Sequence, residues 1–198
     1  SPNASRAHSV ELNSSRFEGI VAATISVDNV TAADSVAFYG NLFVDGSSHS
    51  VSIRSTGLNT TYFESNEWRN HDASASNHCL VAVELPGVCS SSDPYAFHVT
   101  FTDDVYRQNV RRPLIDMHCI DAVITSLTAQ NNTFSATDPL IRAEGWNSIE
   151  IDGSTFAHNR NPVLVARNET KLTINNSAIS GHQGTMFKFE DSDDLKLL

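Results

Sequence analysis

Charge is scarce in this chain, and basic charge is the scarcest. Only 18% of the 198 residues are charged, and 23 Asp and Glu outnumber 13 Lys and Arg to give a net charge of −10. No basic cluster is longer than Arg111-Arg112. Because an acidic surface repels a phosphate backbone, no nucleic acid is expected as a partner.

Long apolar runs are also missing. No stretch approaches the ~20 consecutive apolar residues that cross a bilayer, so no membrane span is predicted. The chain begins Ser1-Pro2-Asn3 without a visible signal peptide, which indicates a mature form or a piece of a longer chain. Gly (9) and Pro (6) are few, whereas Ser and Thr together number 40 and Asn 17. These short polar residues favour strands and turns over helix interiors.

Cysteine is limited to three residues. Cys79 and Cys89 bracket a short segment, and a disulfide between them would fit a secreted protein and leave Cys119 over. Three reduced, buried thiols are the alternative. A zinc site is not expected, because the adjacent pairs His78-Cys79 and His118-Cys119 would point to opposite faces of a strand. The sequence therefore predicts no metal and no other cofactor.

Acceptors for N-linked glycans are about twice as frequent as chance predicts. The seven Asn-x-Ser/Thr sites are Asn3, Asn13, Asn29, Asn59, Asn131, Asn168 and Asn175. Four of these shortly precede an apolar position of the repeat described next and are predicted to share one corner of the fold: Asn13, Asn59, Asn131 and Asn175. The excess favours an extracellular, secreted glycoprotein. The alternative is a corner rich in Asn and Ser for the sake of its turns.

An internal repeat runs along the chain. Each copy has two apolar residues one position apart, a polar corner, and another apolar residue seven positions after the first. The C-terminal copies begin at residues 127, 149, 172 and 195, and a weaker copy begins at 56. The third apolar positions are predicted to form one interior stack of Phe17, Phe43, Phe63, Tyr106, Phe134, Phe156 and Ile179.

A second strand follows the corner in the last four copies. Alternation places its first inward residues at Ile115, Ile141, Leu164 and Phe187, and its next ones at Met117, Ala143, Ala166 and Phe189. By the same alternation, Cys119 points inward. On the outer face, Asp116 lies beside Arg142, and the next row is His118, Glu144, Arg167 and Glu190. We interpret this face as an ion-pair ladder that fixes strand register, with a catalytic cluster as the alternative.

The period of 22 to 23 residues predicts the architecture. It is too short for helix pairs and lacks the leucine-rich pattern, so a coil remains in which each turn adds one strand to each of two or three parallel sheets. We predict an all-β, right-handed parallel β-helix of about seven rungs, forming a single domain over residues 1–198. A longer interval is interpreted as an inserted loop near residues 64–95.

The pattern resembles the right-handed parallel β-helix, or pectin-lyase-like, superfamily over nearly the whole chain. Phe63-Glu64-Ser65-Asn66 and Phe156-Ala157-His158-Asn159 are similar to the Phe-x-x-Asn repeat of polymorphic outer-membrane adhesins. The superfamily includes polysaccharide lyases and hydrolases, adhesins and surface proteins, so the resemblance implies the fold more strongly than the activity.

No catalytic residue is assigned from the sequence. Asp103-Asp104 and Gly181-His182-Gln183-Gly184 are similar to polygalacturonase motifs, but they stand about three rungs apart, too far for one carboxylate pair. The acidic run Asp191, Asp193 and Asp194 lacks the spacing of a calcium loop and is interpreted as a solvated corner.

The predicted function is that of an extracellular structural or adhesive glycoprotein in a surface or fibre assembly. The expected partners are N-linked glycans and either copies stacked end to end or flanking rungs of a parent chain. Carbohydrate is the expected partner under the alternative hypothesis. This alternative is a carbohydrate-active enzyme or a carbohydrate-binding module. A third hypothesis is a receptor or ligand that uses Trp68 and Tyr95 in the 64–95 segment as contact residues.

Overall fold

The chain folds as an all-parallel β-solenoid in the computed structural model, and no helix occurs in the part of the chain that the structure describes. The described residues are 9–20, 25–28, 35–47, 50–54, 60–72, 80–84, 98–110, 114–118, 120–132, 139–145, 147–160, 162–167, 170–190 and 195–197. Cys79, Cys89, Cys119, Tyr95 and the run Asp191, Asp193 and Asp194 lie outside them, and so does the predicted disulfide.

Three parallel sheets make up the solenoid, and each turn contributes one strand to each. Sheet A contains β1 (Ser9–Asn13), β4 (Ser35–Tyr39), β7 (Thr60–Glu64), β10 (His98–Thr102), β13 (Asp121–Thr125), β16 (Asn147–Asp152), β19 (Thr170–Asn175) and β22 (Leu195–Leu197). Sheet B contains β2 (Arg16–Glu18), β5 (Leu42–Val44), β8 (Glu67–Arg69), β11 (Val105–Arg107), β14 (Thr128–Gln130), β17 (Thr155–Ala157) and β20 (Ala178–Ser180). Sheet C contains β3 (Ile25–Asp28), β6 (Val51–Arg54), β9 (Val81–Glu84), β12 (Ile115–His118), β15 (Ile141–Glu144), β18 (Leu164–Arg167) and β21 (Phe187–Glu190).

The stacked turns confirm the predicted parallel solenoid. Five turns have a neighbour on both sides in all three sheets, slightly fewer than the seven rungs predicted. In sheet A, the strand register aligns residues 10, 36, 61, 99, 122, 149, 172 and 195. The copies predicted to begin at residues 56 and 127 therefore begin at 61 and 122, so each predicted start is wrong by five residues.

Two sharp corners of the same kind connect sheet A to sheet B and sheet B to sheet C. Each corner begins with one residue in the left-handed backbone region, then an inward-pointing residue follows. The left-handed residues of the A–B corner are Ser14, Gly40, Ser65, Asp103, Ser126, Gly153 and Asn176; those of the B–C corner are Gly19, Asp45, Asn70, Gln108, Asn131, His158 and Gly181. Small and polar residues tolerate this conformation best, which explains the Ser-, Asn- and Gly-rich corners.

Two aromatic stacks fill the interior instead of the single one predicted. In sheet B, ring centroids lie 5.0 Å apart for Phe17 and Phe43, 5.1 Å for Phe43 and Trp68, and 4.7 Å for Trp68 and Tyr106. In register beyond Tyr106 follow Ala129, Phe156 and Ile179. Phe63 was wrongly assigned to this stack, because it lies in sheet A between Phe38 and Phe101, 4.9 Å from each ring. Phe134 lies outside the described residues.

Sheet C follows the prediction closely. Ile115, Ile141, Leu164 and Phe187 are consecutive partners across the strands, and so are Met117, Ala143, Ala166 and Phe189. The first three members of each set are at most 1% exposed, and the two phenylalanines at the end are partly buried. Burial of each large apolar side chain contributes about 1.5–3 kcal/mol.

The segment 64–95 is not one inserted loop. It contains two regular strands, β8 and β9, which take their places in sheets B and C. Trp68 in β8 is fully buried in the aromatic stack, so its predicted role as a surface contact residue is wrong. The extra length is divided between two connections, one on each side of β9.

No helix in the described part of the chain has both the length and the apolar character that crossing a membrane requires.

Candidate functional site

A column of buried polar side chains lines the A–B corner. Asn41 donates its side-chain amide to Asn66 Oδ1 (3.0 Å) and to the Leu12 carbonyl (2.9 Å). Asn66 in turn donates to Asp104 Oδ1 (3.0 Å) and to the Phe38 carbonyl (2.9 Å). The backbone N–H of each residue also donates to the side-chain oxygen one rung on. The column therefore ties successive rungs together through groups that water cannot reach.

A second column, also buried, lines the B–C corner. Asn109 donates to Asn132 Oδ1 (3.0 Å), and Asn132 donates to Asn159 Oδ1 (2.9 Å). The same three amides donate to the carbonyls of Trp68, Tyr106 and Ala129, one rung back. His71 opens this column, because its backbone N–H donates to Asn109 Oδ1 (3.1 Å).

Each column contains one buried titratable group. Asp104 is 0% exposed, its Oδ2 has no hydrogen-bond partner, and burial raises its pKa to about 8. Burial lowers the pKa of His71, although the Phe43 carbonyl and Asp45 oppose the shift. Protonation of His71 in acid should therefore destabilise the fold, since the unfolded chain binds that proton more readily.

Sheet C carries charged residues along its outer face. One row, the charge row, consists of Arg54, Glu84, His118, Glu144, Arg167 and Glu190 in register, and Arg alternates with Glu on either side of His118. Arg167 Nη1 lies 3.2 Å from Glu144 Oε1, and its Nε lies 2.7 Å from Glu190 Oε2. In the neighbouring row, Arg142 Nη1 lies 3.3 Å from Asp116 Oδ2. The predicted ion pairs are present, and because they are exposed to solvent they stabilise the fold only weakly.

A cavity of about 240 Å³ opens on this face where the small side chain of Ala82 leaves room. Glu84, Asp116 and His118 line it with Ala82, Val83 and Met117. Asp116 lies opposite Ala82, and His118 lies opposite Glu84, so Asp116 and Glu84 are diagonal neighbours with Cα atoms ~8 Å apart. Burial raises the pKa of Asp116 to about 6, although the Arg142 guanidinium opposes the shift. This arrangement offers a protonatable carboxyl beside a second carboxylate.

The motifs similar to polygalacturonase do not converge. Asp103 occupies the left-handed corner position before β11 and is exposed, whereas Asp104 points into the core. His182 follows β20 at the other corner, three rungs further on. Within the described ranges, no group of three or more His, Cys, Asp and Glu side chains could hold a metal ion.

Three of the seven predicted glycan acceptors lie in the described residues. Asn13 and Asn175 occupy the same register position at the ends of β1 and β19, and the serine hydroxyl of each acceptor donates to the asparagine carbonyl at 3.1 Å and 2.7 Å. Asn131 is exposed at the B–C corner, so its predicted place on the shared corner is wrong. Asn3, Asn29, Asn59 and Asn168 lie outside the described residues.

The buried asparagine columns were not predicted from the sequence. Their signal is an inward residue followed three positions later by Asn, as in Phe38 and Asn41 or Tyr106 and Asn109. The two Phe-x-x-Asn copies noted in the sequence are members of this set, but Asn66 belongs to the A–B column and Asn159 to the B–C column.

Comparison with protein family models, with curated proteins and with solved structures finds no match to this chain. The fold and the site are therefore described from the chain itself, as an all-parallel β-solenoid with a charged outer sheet.

Proposed function

We propose that this chain is an extracellular structural or adhesive β-solenoid glycoprotein that contributes to a surface or fibre assembly. The Phe-x-x-Asn corners support a relationship to right-handed parallel β-helices of the pectin-lyase-like kind, including adhesins that carry this repeat. The polar columns and aromatic stacks support a rod-like role, because they tie successive rungs together along the long axis.

The observation that carries the proposal is the incomplete burial of the terminal rungs. Leu12, Phe17, Ile25 and Val27 are only half-buried and, with Val10 at 51% exposure, line an apolar cavity of about 280 Å³. Inward residues of the internal rungs are almost fully buried, as Phe43 is at 1%. Among the described residues, the strands of this rung are the edge strands of their sheets, and an apolar rim with such edges favours the addition of another rung, from a parent chain or from a second copy.

Val10→Asp tests whether this rim binds another rung. A charge at the rim should raise the concentration at which the chain associates by about tenfold or more, because burying an unpaired carboxylate is costly. Analytical ultracentrifugation over a range of concentrations measures the effect, and electron microscopy shows whether the particles are rods.

Val123→Asp is the matched control. Val123 is 40% exposed on the outer face of sheet A, away from both rims, so this substitution should leave association unchanged. The proposal that copies of this chain assemble through the rim is wrong if the unsubstituted chain stays monomeric at every concentration. It is also wrong if both variants weaken association equally.

A carbohydrate-active enzyme is the second candidate, and the cavity beside Asp116 favours it. A carboxyl with a pKa of about 6 can act as general acid, and Glu84 is placed diagonally as a second carboxylate. Hydrolysis of uronic-acid and neutral polymers should then be fastest below pH 6, and Asp116→Asn should reduce it by roughly 100-fold or more.

Asp103→Asn removes a carboxylate far from this cavity and serves as the control for the same assay. If the chain degrades none of the polymers, or if Asp116→Asn hydrolyses them as fast as the unsubstituted chain, the enzymatic alternative is wrong.

A further inference from the structure

The glycan acceptor Asn13 lies on the outer face of sheet A, directly beside a tyrosine. Register pairs Asn13 with Tyr39 on the next strand, and Tyr39 with Glu64 on the strand after that. Side chains of adjacent parallel strands on one face are ~4.8 Å apart, so a sugar on Asn13 would meet the Tyr39 ring.

Tyr39 belongs to a small exposed platform with Tyr62, Glu11 and Glu64. Tyr62 is 39% exposed and pairs with Ala37, whose small side chain lies buried below the platform at 3% exposure. Burial and the nearby Glu11, Glu64 and Tyr62 raise the pKa of the Tyr39 phenol. The phenol therefore stays protonated at neutral pH.

The chemistry of this platform suits a neutral sugar. The C–H face of a pyranose packs on an aromatic ring, and carboxylates accept hydrogen bonds from sugar hydroxyl and acetamido groups. Two carboxylates flanking the rings would repel an acidic sugar.

We propose that the first residue of an N-linked glycan on Asn13 packs against Tyr39 and is held between Glu11 and Glu64. The inference rests on the proposed glycoprotein function. The bound sugar would cover the exposed rings and stabilise the first rungs of the solenoid.

Asn175 provides an internal control for this inference. It has the same register position and the same serine hydroxyl contact as Asn13, but its neighbour across the strand is Asp152, which has no ring. A glycan at Asn175 should therefore affect stability without any dependence on Tyr39.

A double-mutant cycle on chain secreted from a eukaryotic cell tests the proposal, with site occupancy measured by mass spectrometry. Asn13→Gln should lower the melting temperature by about 2–4 °C when Tyr39 is present and by much less in the Tyr39→Ala background. Tyr39→Phe should retain the coupling, because it keeps the ring, and Asn175→Gln should show none.

The proposal is overturned if Asn13 carries no glycan, or if its removal has the same effect with and without the Tyr39 ring. Occupancy at Asn175 but not at Asn13 would overturn only this inference. Absence of glycan at every acceptor would overturn the glycoprotein function as well.

Discussion

Asp104→Asn is expected to stabilise the solenoid by roughly 2–4 kcal/mol at pH 8. Asp104 ends the run of amides formed by Asn41 and Asn66, and its Oδ2 is buried without a partner. An amide at this position keeps the acceptor oxygen that Asn66 uses. By the geometry of the column, its nitrogen would meet the Phe63 carbonyl, as Asn66 meets the Phe38 carbonyl.

The sign of the pH dependence follows from the raised pKa of Asp104. Its carboxyl has a pKa of about 8 in the folded chain, against 3.8 as the reference value, so the folded state holds one more proton than the unfolded state between these values. The free energy of unfolding should therefore fall as pH rises through this window, by up to about 1.4 kcal/mol per pH unit. In Asp104→Asn this contribution is absent.

Urea denaturation of both proteins from pH 4 to pH 9 measures the difference. Asp103→Asn is the matched control, because it removes the same charge from an exposed position whose left-handed backbone Asn tolerates well. If Asp103→Asn stabilised the chain as much as Asp104→Asn, the gain would come from the change in net charge and not from the burial of Asp104. A loss of stability in Asp104→Asn would contradict it too.

Asn109→Ala should have the opposite effect and lower the free energy of unfolding by about 3–5 kcal/mol. The side chain of Asn109 accepts from the His71 backbone N–H and donates to the Trp68 carbonyl and to Asn132 Oδ1. Truncation leaves these buried partners unsatisfied and opens a void beside the aromatic stack. A typical domain is stable by only about 5–15 kcal/mol, so the loss would be conspicuous.

Asn109→Ser separates the hydrogen-bond contribution from the loss of volume. At the A–B corner, Ser154 accepts the Leu127 backbone N–H with its hydroxyl, so serine can replace one function of asparagine in such a column. We expect Asn109→Ser to be less destabilising than Asn109→Ala, as measured by chemical denaturation. Equal destabilisation by the two variants would show that the hydrogen bond from the His71 backbone N–H to the side-chain oxygen at position 109 contributes little.

The strands of sheet C were predictable because strict alternation fixes both their faces and their register. Shifting such a strand by one residue would expose its whole apolar set, so Ile115, Ile141 and Leu164 permit only one alignment. The ion pairs of the outer face followed from that alignment, and the structure extends the charge row back to Arg54 and Glu84.

Alternation could not show which of the two corners, A–B or B–C, each copy of the repeat contains. At both corners, an inward residue is followed by a residue with left-handed backbone and then by another inward residue, which is usually polar. The B–C corner comes five residues after the A–B corner of the same rung. Phe63 with Asn66 and Trp68 with His71 therefore fit one pattern equally well. Only hydrogen bonding between rungs distinguishes them, and that depends on residues from 23 to 41 positions away.

The buried asparagines were missed for a related reason. A polar residue at a turn is ordinarily solvated, and nothing local in the sequence indicates that Asn132 is fully buried. Its burial becomes favourable only because Asn109 and Asn159 occupy the same place on neighbouring rungs. Column formation is therefore a cooperative property of the stacked turns.

The backbone N–H groups of the column residues at the A–B corner all point in the same direction along the solenoid. Ser15, Asn41 and Asn66 each donate their backbone N–H to a side-chain oxygen on the rung that follows. The next N–H groups along the chain, those of Leu42 and Glu67, donate to the carbonyls of Ser15 and Asn41 on the rung before. For these bonds, each rung therefore offers a side-chain oxygen to the rung before it and a backbone N–H to the rung after it. Copies can continue the hydrogen-bond columns only in head-to-tail order, which would give any filament a defined direction of growth and two chemically distinct tips.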